Sequence, residues 1–154
     1  MKIAFISDRL IQTKKEIIDE WFKARGLDKL KFEAAYEHHT LLDELQKNIG
    51  EIHYALSVDE FKQKYDVDIR KYDGLLFHQS IAHQKIINSI YKDNVNLRIV
   101  LVHGDTAAKK AYYNVFTNSK KDYTEEGNFK RGNVLVCYPS IKNVEEIINH
   151  LSGK

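Results

Sequence analysis

The chain has 154 residues, one cysteine, and 24 Lys and Arg against 22 Asp and Glu, a formal charge of +2. That length fits one domain, and 43% hydrophobic with 30% charged residues describes a globular chain rather than a disordered one. These figures exclude disulfide scaffolds, collagen-like chains and structural zinc fingers; uncharged runs such as 3–7 and 99–104 are too short to cross a membrane, and a charge of +2 gives no reason to expect nucleic acid.

Met1-Lys2 leads directly into a strand-like run with no small-residue cleavage site, and Cys137 has no second cysteine to pair with. The expected compartment is therefore the cytoplasm. The first strand is expected over residues 2–7, where Ile3, Ala4, Phe5 and Ile6 are consecutively apolar, as in a strand buried on both faces. A helix follows over 13–24, with Ile17, Ile18, Trp21 and Phe22 as its core stripe and Gly26 as its stop. The second strand is read over 31–36. His38-His39 then reads as a solvated loop, with a place at a ligand edge left open because this strand ends there. Thr40 is read as capping a helix that carries Leu41, Leu42, Leu45 and Ile49 on one face. Ser57 and Glu60 have capping-box spacing and open a short helix through Tyr65.

The third strand is expected over 74–78, and Ser80 caps a helix with Ile86, Ile87, Ile90 and Tyr91 on its apolar face. The fourth strand is expected over 98–103, after which Gly104-Asp105-Thr106 turns the chain into a helix through Tyr113. Residues 114–133 are polar, charged and aromatic, with Gly127 and Gly132 as turn signals. The fifth strand is expected over 134–138 and a last helix over 144–151, with Val144, Ile147, Ile148 and Leu151 on one face. This alternation implies a single α/β domain. Its architecture would be a three-layer sandwich around a five-stranded parallel sheet of order 2-1-3-4-5, a flavodoxin-like arrangement.

In such sheets ligands collect at the carboxyl ends of the strands. That edge would carry Ser7, Asp8, His78, Ser80, His103, Gly104, Asp105, Thr106 and Ser140. Asp8, His78 and His103 are the candidates for acid–base chemistry, because a histidine beside a carboxylate can take and give a proton. The same three offer donors that zinc accepts, but they are far apart in sequence. Histidines that hydrogen-bond loop carbonyls are the plainer reading, so neither metal nor cofactor is expected. Gly104-Asp105-Thr106 opens a helix, where backbone N–H groups accept anions, although Asp105 repels them and suits an N-cap. The chain contains no G-x-S-x-G, P-loop or G-x-G-x-x-G. The segment 109–131 mixes Lys109, Lys110, Lys120, Lys121, Lys130 and Arg131 with Tyr112, Tyr113, Tyr123 and Phe129, yet Asp122, Glu125 and Glu126 interrupt it. A solvated loop or β-hairpin with packed aromatics is preferred there over single-stranded nucleic-acid binding.

Tyr72-Asp73-Gly74-Leu75-Leu76-Phe77-His78 resembles the run that leads into the phosphoacceptor of response-regulator receiver domains. In that family the last position is aspartate, and here it is His78. Ser7-Asp8 stands where receivers carry an acidic pair for magnesium, His103-Gly104 where they carry Thr or Ser before a small residue, and Tyr138-Pro139 where they carry Lys-Pro. The same apolar pattern is shared by TIR-like and nucleoside deoxyribosyltransferase-like domains. The resemblance implies an atypical receiver without aspartyl phosphorylation, a signalling or interaction domain. It also implies a face over 109–138 for a protein partner or a second copy. The alternative is a small hydrolase or transferase acting on a nucleotide-like ligand through Asp8, His78 and His103.

Overall fold

The computed structural model describes residues 1–10, 27–78, 96–102 and 128–153. Within them the strands are β1 (Lys2–Ile6), β2 (Glu51–Ala55), β3 (Gly74–His78), β4 (Arg98–Val102), β5 (Phe129–Arg131) and β6 (Val134–Cys137). The helices are α1 (Leu27–Asn48), α2 (Val58–Tyr65) and α3 (Val144–Ser152). One sheet has the order β2-β1-β3-β4-β6-β5. All neighbours pair in parallel except β5, which runs antiparallel to β6 at one edge. The five parallel strands thus take the expected order 2-1-3-4-5, with β6 as the fifth.

Alternate residues of the central strands feed two cores. Ala4, Ile6, Leu75, Phe77, Ile99, Leu101, Val134 and Val136 meet Phe61 of α2 with Ile69 and Tyr72. Ile3, Phe5, Leu76, Val100, Val102, Leu135 and Cys137 meet Leu41, Leu42, Leu45 and Ile49 at the end of α1, and Ile147 and Leu151 of α3. Both faces are covered, which is why these strands read as unbroken apolar runs.

Residues 31–36 are not a strand; they lie inside α1, and Thr40 lies within that helix rather than at its cap. Lys31, Glu33, Ala34 and Ala35 are good helix formers, and a short apolar run does not by itself separate strand from buried helix. The true second strand, β2, is an edge strand with exposed Glu51 and Tyr54 and only Ala55 fully buried. Its weak apolar pattern hides it.

The Ser57 cap is present. Its Oγ accepts the Glu60 N–H at 3.1 Å, while the Glu60 carboxylate reaches back to the Leu56 N–H at 2.7 Å. β6 ends at Cys137, so Tyr138 lies just beyond it. β5 joins β6 through Gly132-Asn133, with Gly132 at φ 57°, a conformation that suits a residue without Cβ. The helices expected over 13–24, after Ser80 and after Gly104 lie outside the described residues.

Candidate functional site

β1 and β3 lie side by side with Ile6 opposite Phe77, so the next positions, Ser7 and His78, meet at the carboxyl end of the sheet. Ser7 continues the ladder by donating its N–H to Ala55 C=O at 3.0 Å. Its C=O accepts the Leu10 N–H at 3.2 Å, which closes a 3-10 turn over Asp8–Leu10 and lifts Asp8 above the strand end. Alternation along β1 and β3 points Ser7 and His78 to the same face as Phe5 and Leu76, the face covered by α1.

α1 runs against the strands, because its C-terminal end leads through Gly50 to Glu51, which pairs with Lys2 at the start of β1. Three residues before Leu41, on the same helical stripe, His38 therefore sits over the strand ends. Ser7 Oγ and His38 Nδ1 are 3.0 Å apart, in hydrogen-bond contact. The His38 ring stacks toward Phe5 and meets His78 edge-on, with centroids 4.9 Å apart. His78 Nδ1 lies 3.2 Å from Asp8 Oδ1. Ser7, His38 and His78 are 0%, 1% and 5% exposed, whereas the Asp8 side chain is 48% exposed. The cluster is a buried Ser–His–His core closed at the surface by a carboxylate.

An Asp8 carboxylate facing Nδ1 favours a proton on that nitrogen and leaves Nε2 as the second working atom of the ring. The arrangement can therefore orient an imidazole. Equally, it can fill the end of the sheet with mutually bonded polar groups.

The structure brings together Ser7, Asp8 and His78 of the expected residues. Ser140 instead opens the short 3-10 turn Ile141–Asn143 beyond β6, accepting the Asn143 N–H at 2.9 Å through its C=O. Ser80, His103, Gly104, Asp105 and Thr106 lie outside the described residues. Among the described residues no group of three or more His, Cys, Asp or Glu side chains is arranged to hold a metal ion. Nor is any described helix long and apolar enough to cross a membrane.

His38 corrects the expectation of a solvated loop: it is a buried member of the α1 stripe. Its signal was its spacing, since 38, 41, 42, 45 and 49 fall on one helix face. A second polar cluster was not foreseen. Asn128 Nδ2 donates to Asn143 Oδ1 at 2.9 Å and to Glu146 Oε2 at 2.5 Å, and Asn143 Nδ2 donates to Tyr138 C=O at 2.9 Å. Asn128 and Asn143 are buried, so these bonds tie the start of β5 to the bend after β6 and to the first turn of α3.

No curated protein and no solved structure matches the chain. A family model described as "Domain of unknown function (DUF4848)" matches residues 19–143, most of the chain, and the chain belongs to that family.

Proposed function

We propose that this chain is a receiver-like signalling or interaction domain that works without aspartyl phosphorylation, in the cytoplasm. One observation supports this most directly: the end of β1 and β3 is filled. Where receivers present an acidic pocket for magnesium and phosphate, Ser7, His38 and His78 are buried against one another, and Asp8 faces His78 Nδ1. A carboxylate acceptor is missing from position 78, and a histidine there is a poor ligand for magnesium, which takes oxygen donors. The partner would be a protein or a second copy, meeting the chain over 109–138.

The test is incubation with a small phosphodonor and magnesium. The expected result is an unchanged mass and unchanged amide NMR spectra. A stable phosphoryl group at Asp8 or His78, with shifted resonances around them, would sink the reading.

The 3.2 Å Asp8–His78 contact favours a second reading, an acid–base enzyme acting on a nucleotide-like ligand. Turnover in a screen of nucleotides and nucleosides that is lost in both Asp8→Asn and His78→Gln would select it.

A further inference from the structure

Among the described residues β2 ends the sheet, and an edge strand offers its outward backbone groups to any extended chain. The direction of those groups follows from the ladder. Glu51 N–H donates to Met1 C=O, and Ala55 C=O accepts the Ser7 N–H. Residues 51, 53 and 55 therefore turn their backbone toward β1, and 52, 54 and 56 turn theirs away.

Side chains of α2 sit on these outward groups. The Tyr65 hydroxyl accepts the Tyr54 N–H at 3.2 Å and donates to Tyr54 C=O at 3.2 Å. Lys64 Nζ donates to the same carbonyl at 3.4 Å, and Glu60 Oε2 accepts the Leu56 N–H at 2.7 Å. The Tyr65 ring is itself held in place. His53 stacks on it with ring centroids 4.2 Å apart and 3° between planes, and the Phe61 ring lies tilted against it at 4.7 Å.

We infer that α2 is a latch on the sheet edge: the Tyr65 hydroxyl, with Lys64 and Glu60, occupies the backbone groups through which β2 would otherwise pair with β2 of a second copy of this chain. A second copy fits this edge. In an antiparallel register with Ile52 opposite Tyr54 of the other copy, the outward groups of both residues exchange four N–H···O=C bonds. That register sets Glu51 opposite Ala55 and His53 opposite His53 of the other copy, so like charges face each other only when the histidines are protonated. The inference does not depend on the function proposed for the Asp8–His78 end.

Tyr65→Phe removes the hydroxyl and keeps the stacked ring. The Tyr54 amide is expected to be protected from hydrogen exchange in the wild type and to exchange about five-fold faster in the dilute variant. As concentration rises, Tyr65→Phe should sediment with twice the mass of the wild-type species, and its Tyr54 amide should regain protection. Adding Ile52→Pro removes an outward N–H and should abolish the larger species. A wild-type Tyr54 amide without protection overturns the inference. So does a Tyr65→Phe protein that sediments with the wild type at every concentration, or a larger species that survives Ile52→Pro.

Discussion

His38 and Ser7 show how a polar pair can occupy a core position. The pair sits at the end of a stripe otherwise made of Leu41, Leu42, Leu45 and Ile49, and both members are buried. Removing one partner leaves the other without that bond in a low-dielectric site, while replacing both with apolar groups removes the demand. Ser7→Ala and His38→Leu are each expected to destabilise the fold by about 1–2 kcal/mol. The double variant should lie closer to the wild type than their sum, with a coupling of at least about 0.5 kcal/mol in urea unfolding. Strict additivity would mean that the 3.0 Å contact contributes nothing. Ser7 was legible because it follows an apolar strand. His38 was not, because reading 31–36 as a strand cut the helix stripe just before it.

At the scale of elements, α3 is fitted to β3 through one small residue. A Cβ on Gly74 would lie 2.6 Å from Leu151 Cδ2 and 3.0 Å from Ile3 Cδ1, both inside the α1–α3 core. Gly74→Ala is expected to destabilise the protein by about 1–3 kcal/mol through overpacking. Leu151→Val, which lacks the δ-methyl groups, should recover part of the loss in the double variant. Equal melting temperatures for wild type and Gly74→Ala would show that the contact relaxes freely. The central strands and α3 were legible because their patterns have a clear period, two-faced apolar runs or a 3.6-residue stripe. β2 and β5 were not, since an edge strand of five or three residues buries too little to leave a pattern. Gly132 did mark the turn of the β5–β6 hairpin, whereas most of the stretch 109–131 read as a loop or hairpin lies outside the described residues.

For the molecule as a whole, His150 joins three parts of the fold. Its Nε2–H is shared by Ile99 C=O at 3.1 Å and Asn133 C=O at 3.0 Å, so α3 is bound to β4 and to the β5–β6 turn. Its Nδ1 is buried with no hydrogen-bond partner among the described residues. Burial holds its pKa at about 4, below the ordinary 6.5, with Lys130 and Arg98 adding to the effect and the two carbonyls opposing it. The folded state therefore refuses a proton that the unfolded chain accepts between pH 4 and 6.5. Stability is full above 6.5 and falls as pH drops through that window, by on the order of 3 kcal/mol in total. His150→Gln keeps a donor for the carbonyls and should flatten this slope when urea midpoints are compared at pH 4.5, 5.5 and 7. A variant with the same slope as the wild type would assign the acid sensitivity to other groups.

The β1–β3 pairing also bears on how the chain is made. Lys2 N–H donates to the Asp73 carboxylate across a separation of 71 residues, and the Asp73 N–H returns a bond to Lys2 C=O. At synthesis rates of 5–20 residues per second, β1 waits about 4–14 s for this neighbour. Until then Ile3, Ala4, Phe5 and Ile6, all fully buried in the finished sheet, lack their β3 strand neighbours. The central sheet is therefore closed by a pairing that is distant in sequence, and such long-range pairing slows the folding of parallel sheets.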